Sequence, residues 1–152
     1  MAINPLFVKP SFLAPPAGGK TSSVQAAKNL LAGIDWSGGA PAGLRKLDAA
    51  GTNAERMKQV ARLPKAVREA FDFYYKHVEG EDWGSVSVYK LDVKGQAFYA
   101  VRTGTDGDDG YLELFNYAGK RVATGLQGWG TDGKPTTSWD SRLGAVRAKT
   151  EY

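Results

Sequence analysis

A stretch rich in proline and glycine near the N-terminus has the spacing of a nucleotide-binding loop, in which four arbitrary residues separate a small residue from Gly-Lys-Thr. A working loop lies between a buried strand and a helix, so that its backbone amides converge on the phosphates. Here Pro10 would interrupt the preceding strand, and Pro15 and Pro16 remove two amides from the loop itself. We therefore predict a chance match with no nucleotide bound. The four residues at the defining positions are Ala14, Gly19, Lys20 and Thr21.

Metal and cofactor chemistry has little support in the residue types present. The chain has no cysteine, and His77 is its only histidine, so disulfides, cysteine-based zinc sites and histidine pairs are excluded. Residues 105–110 read TDGDDG, but Gly110 is the fifth residue counted from Asp106, whereas an EF-hand requires glycine sixth and glutamate twelfth. We read this stretch as a polar hairpin loop. The sequence predicts no metal and no cofactor.

Carboxylates are the remaining catalytic option. The chain has 16 acidic residues, and glycosidases need only two carboxylates at a suitable separation. Spacing along the sequence singles out no pair. A small hydrolytic toxin is therefore the third of three functional hypotheses, and the absence of a distinctive catalytic motif favours a protein that is not an enzyme.

Tryptophans are the more distinctive candidate site residues. Trp129 and Trp139 lie in a segment rich in glycine and threonine, and Trp83 precedes the first predicted strand of the main sheet. Exposed indoles stack on sugars or anchor protein partners, whereas buried ones would pack over the open end of a sheet. All three are candidate partner-binding residues.

Composition and charge limit the classes of partner. The 152 residues are 42% hydrophobic and carry a net charge of +4, which fits one soluble domain with tails. The first 50 residues hold five basic and two acidic side chains, so they account for +3 of this excess. No cluster of basic residues interleaved with aromatics is evident, so nucleic-acid binding is not predicted. No apolar run reaches the 18 residues that a membrane-spanning helix needs, so no membrane span is predicted.

The N-terminus has a pattern of its own. It reads MAINPLFVKPSF, with the aliphatic Ile3 third, Pro5 fifth and no acidic residue before Asp35. It lacks the uninterrupted apolar stretch of a secretory signal peptide. The segment resembles the export signal of type III secreted effectors of plant-pathogenic bacteria of the Pseudomonas syringae kind. The resemblance implies delivery through a type III apparatus into a host cell, with a host protein and a secretion chaperone as partners. The alternative is the loose tail of a protein that stays in the bacterial cytoplasm.

Three short helices are predicted ahead of a longer one that precedes the sheet. Ser22 or Ser23 would cap the first, which Gly33 would end, and its Leu30, Leu31 and Ile34 would dock on the domain or form a stripe for a chaperone or membrane surface. A short helical piece with Leu44 and Leu47 would follow. Thr52 and Glu55 have capping-box spacing for the next helix.

A longer helix after Pro64 is the clearest element of the sequence. Its apolar residues recur at helical spacing, and Gly80 would end it. The apolar residues are Val67, Phe71, Tyr74, Tyr75 and Val78.

The next fifty residues change to the period of two that is typical of strands. Residues 85–93, 96–102, 111–117 and 120–126 are rich in Val, Tyr, Phe and Leu, with short connections that favour an antiparallel meander. We predict an α+β fold in which helices cover one face of a roughly four-stranded antiparallel sheet. Its parts would be a disordered leader or export signal (1–22), short helices and linker (23–51), an α+β core (52–128) and a C-terminal segment rich in glycine and tryptophan (129–152). This last segment would be irregular up to Gly144, and residues 144–152 would add a short edge strand or fray.

Two functional hypotheses rank above the hydrolytic toxin. The first is a secreted bacterial effector that acts by binding a host protein, which the acid-free leader favours. The second is a small non-secreted binding module for carbohydrate or peptide, which the C-terminal tryptophans favour.

Overall fold

The elements of the fold follow one another in a simple order. The computed structural model describes residues 22–34, 43–81, 84–104, 110–129 and 135–139. Within these ranges the chain forms three α-helices and one antiparallel sheet of six strands, which lie side by side in chain order. The helices are α1 (Ser23–Ala32), α2 (Asn53–Val60) and α3 (Lys65–Tyr74), and a π-helical turn (Tyr75–Glu79) continues α3. The strands are β1 (Leu44–Lys46), β2 (Ser85–Val93), β3 (Gln96–Gly104), β4 (Gly110–Asn116), β5 (Arg121–Trp129) and β6 (Pro135–Trp139).

The predicted helix boundaries are confirmed where capping residues defined them. The Ser22 side chain accepts a hydrogen bond from the backbone N–H of Gln25, which starts α1, and Gly33 ends it. The Thr52 hydroxyl accepts from the backbone N–H of Glu55 and caps α2 in the same way. These caps satisfy amides that would otherwise lack partners at a helix N-terminus.

The end of the third helix is wider than an α-helix. The backbone N–H of Gly80 donates to the carbonyl of Tyr75 at 2.7 Å, a bond between residues five apart. The π-helical turn brings Glu79 against β2, where its carboxylate accepts the backbone N–H of Val86 at 3.2 Å. The predicted end at Gly80 is confirmed, but the sequence pattern did not predict the change of helix type.

The α+β class and the four predicted strands are confirmed, and the sheet has two further strands. The segment that contains Leu44 and Leu47 was predicted to be helical, and this is wrong, because Leu44–Lys46 pairs with β2 as β1. The segment after residue 128 was predicted to be irregular, yet Pro135–Trp139 pairs with β5 as β6. Pro135 is tolerated because it is the first residue of its strand.

Both faces of the sheet are covered, so the prediction that helices pack on one face alone is wrong. α2, α3 and the π-helical turn cover one face, where Phe71 and Val101 are fully buried. α1 packs on the other face through Ala27 and Leu31, against Phe98 and neighbouring side chains. Leu31 and Ile34 are buried and Leu30 is exposed, so docking on the domain accounts for most of the apolar stripe on α1. Alternate residues of the central strands point to these two apolar layers, as the pleat requires.

None of the helices in the described ranges is both long enough and apolar enough to cross a membrane.

Candidate functional site

Arg56 on α2 is the centre of a charged cluster at one edge of the sheet. Its Nε atom lies 2.9 Å from Asp48 Oδ2, and its two terminal nitrogens lie 2.6 and 2.9 Å from the two carboxylate oxygens of Glu79. The side chain of Asp48 is fully buried. The hydrogen bonds from Arg56 lower the pKa of Glu79, and the carboxylate of Glu79 raises the pKa of Arg56. Arg56 and Glu79 are therefore both charged at neutral pH.

This cluster takes the place of a neighbouring strand along part of β2. The backbone N–H of Val86 donates to Glu79, and that of Val88 donates to Asp48 Oδ1 at 3.1 Å. The guanidinium of Arg56 donates to the carbonyl of Val86. β1 pairs with β2 only along Tyr89–Leu91, so these side chains satisfy backbone groups that β1 does not reach. The cluster serves the fold, and its polar atoms are already engaged.

Acid titration should weaken this cluster. Because the pKa of Glu79 is lower in the folded chain than its ordinary value of 4.5, the ionised carboxylate stabilises the fold above that pH. This stabilisation should disappear as the pH falls through the lower, folded-state pKa. The difference in the free energy of unfolding between wild type and Glu79→Gln should therefore shrink between pH 7 and pH 3, measured by urea denaturation.

The matched control for this titration is Glu69→Gln, which removes a carboxylate from the exposed side of α3. Its difference from wild type should stay small across the same range. A difference for Glu79→Gln that stays constant with pH would contradict the ion-pair interpretation.

A second buried carboxylate belongs to Glu113 on β4. Its Oε2 atom accepts a hydrogen bond from the Tyr74 hydroxyl at 2.5 Å, and its Oε1 atom lies 3.2 Å from an Arg121 nitrogen. The ring of Tyr111 stacks on that of Tyr74 at 5.9 Å between centroids. The two oxygens of Glu113 are thus held by α3 and by β5. Such bonds offset the cost of burying a polar group away from water.

In the described part of the chain, no three His, Cys, Asp or Glu side chains lie close enough together to hold a metal ion.

Trp139 is the one predicted site tryptophan whose side chain the structure describes. Its ring lies over Gly125 so closely that a Cβ atom at that position would be 3.0 Å from it. It packs at the margin of the core beneath α1, and Lys28 Nζ lies 5.5 Å from the ring centroid. The ring is half-buried. Trp139 therefore contributes mainly to the packing of α1 and β6 on this face.

The other predicted site residues lie wholly or partly outside the described residues. Trp129 ends β5 opposite Pro135, but its side chain lies outside the described residues, and so does the whole of Trp83. Residues 105–109 of the TDGDDG stretch, which was compared with an EF-hand loop, also lie outside the described residues. The residues of the nucleotide-loop match also lie outside them, namely Ala14, Gly19, Lys20 and Thr21.

The face covered by α2 and α3 reaches solvent at the end near the β2–β3 turn, and this part has the features of a contact surface. Arg45, Lys90 and Tyr99 lie directly opposite one another on β1, β2 and β3. Asp92 lies two residues beyond Lys90 on the same face, and Tyr117 follows β4. We call these five residues the Tyr117 surface.

Tyr117 is held in place although most of its side chain is in solvent. It is 60% exposed, and its ring stacks on that of Tyr99 with 5.6 Å between centroids and an interplanar angle of 10°. Lys90 Nζ lies 5.5 Å from the centroid of the Tyr117 ring. Burial, more than the neighbouring Tyr117, raises the pKa of the Tyr99 hydroxyl. The neutral, buried side chain of Tyr99 therefore supports the exposed ring of Tyr117.

An open cleft of about 390 Å³ adjoins the stacked rings. It is lined by Gly43, Leu44, Arg45, Lys90 and Asp92. Neither Arg45 nor Lys90 forms an ion pair with any carboxylate among the described residues. The cleft thus presents two cations and one carboxylate to solvent, beside an exposed aromatic ring.

Comparison with known proteins identifies no relative: no family model matches the chain, and no curated protein or solved structure is significantly similar to it. Its function must therefore be argued from its own residues.

Sequence reasoning missed the Tyr117 surface for identifiable reasons. Arg45 was assigned to a helix, and Tyr99 and Tyr117 were read as ordinary strand residues. Lys90 and Asp92 alternate with apolar residues in SVSVYKLDV, and this spacing indicates a solvent-facing side of β2. Their position beside Tyr117 depends on strand register, which the sequence did not define.

Proposed function

We propose that this chain is a bacterial effector, delivered into a host cell through a type III apparatus, that acts there by binding a host protein. The observation that carries the binding role is the exposed ring of Tyr117, fixed by Tyr99 beside an open charged cleft. Aromatic residues of this kind dominate the energetics of protein interfaces. A rigid ring also loses little conformational freedom when a partner binds.

Delivery is supported by the N-terminal residues, which lie outside the described part of the structure. Ile3 is aliphatic, and the first acidic residue is Asp35. These features resemble type III export signals, and a secretion chaperone inside the bacterium is proposed as a further partner.

Binding is favoured over catalysis by the state of the buried charged groups. The polar atoms of Asp48, Arg56 and Glu79 bond to one another and to β2, and both oxygens of Glu113 are engaged. Carboxylates with these partners support the sheet, whereas the Tyr117 surface faces solvent.

Delivery can be tested directly with residues 1–50 fused to a calmodulin-dependent adenylate cyclase. We expect cyclic AMP to rise in plant cells challenged by a bacterium with a working type III apparatus, and to stay at background with a strain that lacks it. Ile3→Asp, which removes the aliphatic residue and adds an early acid, should reduce the signal to that background. Ile3→Val keeps an aliphatic side chain and should preserve the signal.

A well-expressed fusion that gives no apparatus-dependent signal would contradict delivery. The alternative of a non-secreted module that binds peptide in the bacterial cytoplasm would then account for the same surface.

A further inference from the structure

Two like charges face each other on the Tyr117 surface, and no carboxylate among the described residues forms an ion pair with either. Arg45 on β1 and Lys90 on β2 are direct cross-strand partners, and Arg45 is exposed. Like charges in this arrangement destabilise a pair of strands. Asp92, the carboxylate that lines the same cleft, leaves an excess of one positive charge there. An anionic group from a partner would relieve the repulsion.

The aromatic part of the surface adds a different kind of contact. Tyr117 lies beside Lys90 and stacks on Tyr99, whose own partner across β2 and β3 is Lys90. A ligand that reaches the two cations would therefore also meet the Tyr117 ring. Such a ligand needs a negative group and an adjoining apolar or aromatic part.

From this arrangement we infer that the Tyr117 surface binds an acidic segment of a partner protein, with a glutamate or aspartate carboxylate between Arg45 and Lys90 and a neighbouring side chain against Tyr117. The inference rests on the proposed binding function and names the chemistry of its partner. Nucleic acids and anionic membranes present many phosphates and are bound by several cations together. The cleft offers two cations and includes Asp92, which would repel a continuous row of phosphates.

The probe for this inference is an end-blocked octapeptide of alternating glutamate and leucine, labelled with fluorescein and titrated against the full chain by fluorescence anisotropy. The comparison peptide has glutamine in place of every glutamate. We expect the acidic peptide to bind at least about tenfold more tightly than the neutral one, and its binding to weaken as salt is added.

Charge reversal at the cleft has a matched control on the helices. Arg45→Glu with Lys90→Glu should weaken binding of the acidic peptide by at least about tenfold. Lys58→Glu with Lys76→Glu makes the same change in net charge at two exposed helical positions, and should leave binding within about twofold of wild type. Arg45→Gln with Lys90→Gln provides a milder second variant, and near-UV circular dichroism checks that each variant is folded.

The ring is tested separately. Tyr117→Ala should weaken binding by about five- to tenfold, and Tyr117→Phe should restore most of it, because the ring rather than the hydroxyl makes the contact.

Several results would overturn the inference. The first is that the acidic peptide does not bind at millimolar concentration. The second is that both charge-reversed double variants lose affinity for the peptide equally. The third is that phosphatidylserine vesicles or single-stranded RNA, rather than the peptide, bind through Arg45 and Lys90. If the reporter fusion is delivered but the peptide fails to bind, the acidic-segment inference fails and the effector proposal remains.

Discussion

Replacement of Arg56 by leucine is expected to lower the free energy of unfolding by about 3–5 kcal/mol, a range typical when one partner of a buried ion pair is removed. The change leaves the fully buried Asp48 and the carboxylate of Glu79 without their main cation. It also removes the donor to the carbonyl of Val86 at the edge of the sheet. Urea denaturation at pH 7, followed by circular dichroism, measures the effect.

The control for Arg56→Leu is Arg62→Ala, which removes a second arginine shortly after α2, at an exposed position. Its expected effect is within about 0.5 kcal/mol of wild type. If Arg56→Leu cost no more than this control, the cluster would contribute little net stability, and burial of its charges would offset its hydrogen bonds.

Replacement of Leu31 by alanine is expected to lower the free energy of unfolding by about 2–5 kcal/mol. Leu31 is the larger of two fully buried residues through which α1 packs on the face of the sheet opposite α3. Alanine removes three carbon atoms from that contact and leaves a cavity against side chains such as Leu91 and Phe98. The same denaturation measurement applies.

The neighbouring residue provides the control for α1. Leu30 has the same side chain in the same helix but is 42% exposed, so Leu30→Ala should change stability by no more than about 0.5 kcal/mol. Equal effects of the two substitutions would show that α1 does not dock through Leu31, and the packing of α1 on this face would be wrong.

Local sequence signals predicted most of the elements and the antiparallel order of the central strands, but not the two outer strands or the helix on the second face of the sheet. Ser22, Thr52 and Gly80 marked helix ends through capping and termination, which depend only on nearby residues. β2 to β5 followed from alternation and β-branched or aromatic content. β1 has three residues, two of them basic, and β6 begins with proline, so neither carries a recognisable strand pattern.

The candidate site was less accessible to prediction than the fold. The stacking of Tyr99 and Tyr117 joins a residue of β3 to the residue that follows β4, and it depends on the register of these two strands. The Arg56 cluster joins residues up to 31 positions apart, from Asp48 to Glu79, and no local pattern links them. The tryptophans attracted attention by residue type alone, and Trp139, whose side chain the structure describes, is half-buried against the core.

The charged cluster beside β2 also bears on self-association. A strand edge with unpaired backbone groups is a template for pairing with another chain, and proteins blunt such edges in several ways. Here Glu79 and Asp48 accept the backbone N–H groups of Val86 and Val88, and Arg56 donates to the carbonyl of Val86, so these groups do not offer that template. Protonation of Glu79 in acid would weaken its bond to the backbone N–H of Val86 and so expose part of this strand edge. The ion pairs thus help keep the folded protein from joining its sheet to that of a second copy.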